Sequence, residues 1–254
     1  MAATILITGG TSGIGLATAR AFSQQGANIV IAGRREEVGK AAAAEVNALG
    51  GTCRFYQADV TLETDVEALI EFVVNQFGRL DFAFNNAGIF LHEPGLESHD
   101  QASWDQIIAS NLTSVYLCMK HEIATMRKQE RASPCVIINN ASVVGHRGSG
   151  ASGAAYTAAK HGILGLTRQA AVENVDQMIR VNAVSPGPTL TPATAAGLEG
   201  PADAVNAKVS ALNPTGELVS VEDIASTVVF LCSPAASMIN GQDIPLDGGQ
   251  LAKL

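Results

Sequence analysis

Long apolar runs, basic runs and grouped cysteines are all missing from this chain, and each absence removes a class of function. No uninterrupted hydrophobic stretch approaches the ~18–20 residues of a membrane-spanning helix, so a helical membrane protein is not expected. The first residues lack the charged and hydrophobic regions of a signal peptide and run straight into a strand-like segment. A soluble, cytoplasmic protein is the expectation. Lysine and arginine number 16 against 24 aspartates and glutamates, a net charge of −8 with no compensating basic run. Nucleic-acid binding is therefore not expected. Cys53, Cys118, Cys135 and Cys232 are scattered, without CxxC spacing or nearby histidine groups, and read as reduced core residues rather than metal ligands or disulfides. Charged residues make up only 16% of the chain and apolar residues 47%, so a large buried core is available and disorder is not expected.

What is present centres on Tyr156 and Lys160. Four residues is just over one helical turn, so a phenol and an ammonium at this spacing share one helix face. A phenol with a pKa near 10 is a poor proton donor at neutral pH. A neighbouring cation favours the phenolate and lowers that value. The small residues Ala154, Ala155, Ala158, Ala159 and Gly162 allow close packing against a flat partner, a sheet or a cofactor. A surface tyrosine and lysine on an amphipathic helix would show the same spacing, so the pair needs a cofactor site elsewhere in the chain.

That site is suggested at the N-terminus. An apolar, β-branched run over 3–8 meets Gly9-Gly10-Thr11-Ser12-Gly13-Ile14-Gly15, and a helical pattern over 16–25 follows. Strand, glycine turn and helix is the context in which backbone N–H groups receive a phosphate. Strands are then expected at 28–33, 53–57, 80–84, 135–139, 178–184 and 242–246, alternating with helices at 34–49, 63–77 and 104–130, the Tyr156 helix, and 220–232. Residues 90–103 read as a loop, and the 104–130 helix has a candidate break at Asn111. The alternation predicts one α/β domain over 1–254, a Rossmann-type doubly wound parallel sheet of about seven strands with helices on both faces. The Ala-, Thr-, Gly- and Pro-rich stretch 189–216 reads as a substrate lid.

The Gly9 loop, Asp59, Asn85, Ser142 and Pro186 all fall at carboxyl ends of expected strands, the edge where open parallel sheets bind ligands. With these motifs in order, the chain resembles the short-chain dehydrogenase/reductase family along essentially its whole length. The matching residues are Thr8 to Gly15, Asp59-Val60, Asn85-Asn86-Ala87-Gly88, Asn111, Ser142, Tyr156-x-x-x-Lys160, Pro186-Gly187 and Asp247-Gly248-Gly249. The resemblance implies that Tyr156 is the general acid for a carbonyl oxygen and the base in reverse. Lys160 would lower the Tyr156 pKa and hold the nicotinamide ribose, Ser142 would fix the carbonyl, and Asn111 would hold a relay water. It further implies a cofactor surface of Gly9, Thr11, Ser12, Gly13, Ile14, Gly15, Asp59, Val60, Asn86, Ala87, Gly88, Pro186, Gly187 and Thr189, with Tyr156 and Lys160 reaching it. Ser142 lies fourteen residues before Tyr156, one more than is common in the family. The substrate pocket is expected near Phe90, Val144, His146 and Leu190.

At the end of the second strand an NAD site usually carries a carboxylate for the ribose hydroxyls. Here Gly33 is followed by Arg34 and Arg35, whose guanidinium groups suit a 2′-phosphate. The alternative is that Glu36 and Glu37 pair with them. The expected cofactor is NADP(H), with NAD(H) possible, and no metal is expected. The expected activity is interconversion of a small secondary alcohol and a ketone. A redox sensor that binds the nicotinamide without turnover is the rival from another class. The resemblance further implies a homotetramer, formed by pairing of the helix near Asn111 and the Tyr156 helix, whose outer faces are expected to carry Leu117, Ala124, Leu164 and Leu166.

Overall fold

The computed structural model describes residues 2–91, 93–130, 133–150, 152–192, 194 and 213–253. Most of the 189–216 stretch thus lies outside the described residues. Seven strands, β1 (Thr4–Thr8), β2 (Asn28–Gly33), β3 (Thr52–Gln57), β4 (Phe82–Asn85), β5 (Cys135–Asn140), β6 (Ile179–Pro186) and β7 (Asp243–Leu246), form one sheet. Its order is β3-β2-β1-β4-β5-β6-β7, and every pairing is parallel.

Parallel strands need helical crossovers, and these cover both faces. On one face α3 (Glu63–Phe77), α5 (Ser114–Lys128) and α6 (Ala154–Glu173) bury Leu69, Val73, Met126 and Ile163 against Leu6, Val30, Ala83 and Ile137. On the other, α1 (Gly13–Ser23), α2 (Glu36–Asn47) and α7 (Val221–Cys232) bury Phe22, Val46 and Val228 against Ile5, Ile7, Ile29 and Ile31. The alternating strand residues feed two separate cores. All four cysteines are buried within these layers, as their spacing indicated.

Helix ends follow the expected local chemistry. Gly78 closes α3 in a left-handed conformation (φ 75°), and the Ser220 side chain accepts from Asp223 N–H to start α7. One stretch departs from expectation, and at another the expected break takes a definite form. The segment expected to be a loop up to 103 ends earlier, because Asp100 caps α4 (Gln101–Ile108) by accepting from Ser103 N–H. The helix expected over 104–130 is interrupted by a π turn, Ala109–Thr113, with Asn111 at its centre.

Leu117 and Leu164 lie in the monomer core, not on outer faces. The α5 and α6 faces that carry them cover the sheet. Leu166 is partly buried against the same core, whereas Ala124 is exposed. Strand order reverses around β1, which is flanked by β2 and β4. At such a switch point a crevice opens beyond the strand ends.

Candidate active site

The crevice begins with the turn after β1. Gly9 and Gly13 adopt φ of 64° and 51°, conformations that side chains resist. The Thr8 hydroxyl accepts from Asn86 N–H (3.0 Å) and Ala87 N–H (3.1 Å), and the Asn86 amide donates to Thr8 O and Gly9 O. The turn after β4 is thereby fastened to the glycine turn. Ser12, the first residue before α1, makes no side-chain cap, which leaves the helix N-terminus open toward the crevice.

A cavity of about 650 Å³ occupies this crevice. It is lined by Gly9, Thr11, Ser12, Gly13, Ile14, Arg34, Arg35, Asp59, Val60, Asn86, Ala87, Gly88, Asn111, Ser142, Tyr156, Lys160, Pro186, Gly187 and Thr189. Nearly every candidate residue is thus brought to one place. Gly15 is the exception. A Cβ there would lie 2.4 Å from Gly9 O and 2.7 Å from Asn86 Nδ2, so its small size serves helix–turn packing. Gly88 is constrained similarly, since a Cβ would stand 2.6 Å from Asn111 Oδ1. Of the expected substrate pocket, Phe90 and Val144 line the cavity, whereas His146 and Leu190 do not. His146 instead meets Asp243 Oδ2 at 2.5 Å, and Leu190 is exposed.

At the β2 end, a Cβ on Gly33 would meet Thr11 Cγ2 at 3.0 Å, so a carboxylate would be crowded here. Glu36 and Glu37 pair with Lys40, not with the arginines. The side chains of Arg34 and Arg35 have no ion pair among the described residues, and both face the cavity.

At the β5 end, Ser142 caps a short helical turn (Val143–Gly145) by accepting from Val144 N–H, and it lines the cavity together with Tyr156. Lys160 is buried, donates from Nζ to Asn140 O (2.7 Å), and holds Nζ 5.4 Å from the centre of the Tyr156 ring. The expected lowering of the Tyr156 pKa is not found. Burial pushes the phenol up to about 12, and the Ser142 side chain pulls the other way. Part of the Tyr156 surface opens to the cavity, which moderates that push. Burial likewise brings Lys160 down to about 7, weakening the cation that was expected to act on the phenol.

Asn111 is buried in the π turn, where its amide donates to Ile107 O (3.0 Å) and accepts from Ile89 N–H (3.1 Å). It ties the loop after β4 to the interrupted helix. Asn140 was not anticipated. Its carbonyl receives Lys160, its amide donates to Asn86 Oδ1 (2.9 Å), and its own Oδ1 is buried without a partner among the described residues. Its position after an apolar strand was the only sequence signal.

The arrangement joins a phosphate-compatible turn, an open helix N-terminus and a Ser–Tyr–Lys cluster. A family model described as enoyl-(acyl carrier protein) reductase matches residues 9–250. Cyclohexanol dehydrogenase of Acinetobacter sp. (strain SE19) is 37% identical over 249 residues, covering 98% of this chain and 94% of that protein. The chain belongs to the short-chain dehydrogenase/reductase family. The solved structure of levodione reductase superposes with a TM-score of 0.92 at 36% identity, covering 99% of this chain and 98% of that one. A single-substitution variant of actinorhodin polyketide ketoreductase, solved with NADPH, gives a TM-score of 0.91 at 30% identity, covering 98% of this chain and 97% of that one. As a short-chain dehydrogenase/reductase, the chain is an NAD(P)-dependent oxidoreductase acting on CH–OH groups. Among the described residues no helix is long and apolar enough to cross a membrane.

Proposed function

We propose that the protein interconverts a secondary alcohol and a ketone with NADP(H), using Tyr156 as general acid in reduction and general base in oxidation. The observation that carries this reading is the gathering of Ser142, Tyr156 and Lys160, the last with Nζ 5.4 Å from the Tyr156 ring centre, in the same cavity that Arg34 and Arg35 also line. The residues fit a dinucleotide: the glycine turn leaves room for close backbone approach, and the α1 N-terminus suits a pyrophosphate. The nicotinamide, when bound, supplies or accepts the hydride.

Ser142 donates to the ketone oxygen and fixes it beside Tyr156. The Tyr156 hydroxyl then transfers its proton to that oxygen. A phenol held neutral by burial is a ready acid throughout the neutral range, so reduction proceeds there without prior ionisation. Oxidation needs the phenolate, and its rate therefore rises with pH. Lys160 and Asn111 serve proton return, with Asn140 O orienting the Lys160 amine. Asp59 and the Asn86-Ala87-Gly88 turn hold the adenosine side, and Pro186, Gly187 and Thr189 the nicotinamide side.

The Arg34 and Arg35 side chains, without an ion pair among the described residues, favour a 2′-phosphate, and the likeness to a ketoreductase solved with NADPH agrees with this. The likeness to cyclohexanol dehydrogenase favours a cyclic secondary alcohol. The reading is completed by a cytoplasmic homotetramer, in which exposed α5 residues such as Tyr116 and Ala124 are free for contact. A panel of cyclic ketones and alcohols with both cofactors tests the assignment. Turnover with NADPH exceeding that with NADH supports it, and binding of nicotinamide without turnover of any member would leave the sensor reading.

A further inference from the structure

The catalytic helix α6 starts in an unusual way. Its cap residue is Gly153, which has no side chain to receive the N–H groups of the first turn. The acceptor comes instead from sixty residues earlier. Glu93 Oε2 accepts from Ala155 N–H (2.9 Å), and Glu93 Oε1 accepts from Tyr156 N–H (3.1 Å). The carboxylate is almost fully buried at 1% exposure, and a Cβ on Gly153 would stand 2.1 Å from Glu93 Cβ. Gly153 is small because Glu93 occupies the position of its side chain.

Glu93 is held in turn. His99 Nε2 lies 2.9 Å from Glu93 Oε2, and His99 Nδ1 lies 3.1 Å from Asp100 O. Both ring nitrogens thus lie against oxygen atoms of the same loop. Asp100 is the cap of α4, the helix that leads into the π turn bearing Asn111. Phe90, from the same loop, packs edge-on against the Tyr156 ring with centroids 5.2 Å apart. The loop between β4 and α4 thus grips Tyr156 by its backbone and its ring, and connects it to the helix that carries Asn111.

We propose that Glu93 and His99 form a clasp that positions Tyr156 for proton transfer. Glu93 is a positioning residue: it touches the backbone of Tyr156 and none of the reacting atoms. A carboxylate at a helix N-terminus is favoured by the helix dipole, so the clasp also stabilises α6. The consequence specific to positioning is kinetic, because displacement of a proton donor by ~1 Å costs up to ~10²-fold in rate.

The inference rests on the reading of Tyr156 as the acid, and the test separates the two. Glu93→Ala, Glu93→Gln, His99→Gln and Tyr156→Phe are compared in the full chain, using the cyclic ketone that the unmodified enzyme reduces fastest. The measurements are kcat, KM for the ketone, the NADPH dissociation constant and Tm. Glu93→Ala is expected to lower kcat by ~10–100-fold while the NADPH dissociation constant is unchanged. Glu93→Gln, which keeps one carbonyl acceptor, restores part of that kcat, and His99→Gln gives an intermediate loss. Unchanged kcat in Glu93→Ala overturns the clasp. So does a kcat loss in both Glu93 variants that is matched by weaker NADPH binding and lower Tm, the signature of a structural cap only. An active Tyr156→Phe would instead overturn the acid assignment itself.

Discussion

The two halves of the crevice are built from different materials. The half beyond β1 and β2 is made of backbone: a glycine turn, an uncapped helix start and main-chain atoms fastened by Thr8 and Asn86. The half beyond β5 is made of side chains whose protonation is set by burial, with Tyr156 raised to about 12 and Lys160 lowered to about 7. The first half tolerates chemistry but not volume. The second depends on the chemistry of its side chains.

Tyr156→Phe sharpens this contrast most. The ring retains its edge-on contact with Phe90 and loses only the hydroxyl, so kcat for ketone reduction falls by ~10²–10⁴-fold while NADPH affinity is retained. Steady-state kinetics beside a binding titration checks both parts. Gly15→Ala does the reverse. One methyl group placed 2.4 Å from Gly9 O forces the turn apart, costing ~1–3 kcal/mol of stability and weakening cofactor binding. Thermal unfolding with and without NADPH reads this out, and undiminished protection by NADPH would contradict it.

Arg34→Ala probes the part of the backbone half that depends on charge. Loss of one charge-assisted hydrogen bond, ~1.5–3 kcal/mol, raises KM for NADPH by about tenfold or more and leaves KM for NADH unchanged. Equal efficiency of the unmodified enzyme with NADH would show that the Gly33–Arg34 corner does not select the phosphate.

The smallest effect concerns Glu122, a carboxyl buried on α5 beneath the end of β4 and outside the cavity lining. Burial raises it from 4.5 to about 8, against the hydrogen bond it accepts from Asn85 Nδ2 (3.0 Å). Between pH 4.5 and about 8 the folded protein therefore keeps a proton that the unfolded chain has already lost. Stability falls with rising pH across that window and is flat outside it. Glu122→Gln should abolish this component of the slope in denaturant titrations at a series of pH values. Lys160 supplies the opposite sign: its depressed value adds stability as pH rises from about 7 toward 10.5.

Much of this molecule was legible in its sequence because strand and helix signals are local. Strand 28–33 and helix 63–77 have the limits that their apolar runs and terminal glycines indicated. The gathering of the glycine turn, Asp59, Ser142 and Pro186 followed from a single rule about parallel strand ends, whereas Asn85, expected with them, stays outside the cavity lining. What was missed depends on contacts between distant segments. Period alone places Leu117 and Leu164 on a helix face but does not say which face meets the sheet. The Tyr–Lys spacing gives proximity and is silent about burial, which governs both groups here. Glu93 sits in a polar loop with no periodic signal, and only the folded chain brings it to the start of α6.

The π turn at 109–113 has a consequence for how this chain can vary in length. A widened turn takes in one residue more than an α turn while the helices on either side keep their apolar faces toward the core. A single-residue deletion there would convert 101–128 into one continuous α-helix with both faces still correctly aimed. The casualty would be the Asn111 amide, turned away from Ile89 and the cavity. At this point in the fold the scaffold and the active site obey different length rules, so a change that the first absorbs without loss is one the second does not survive.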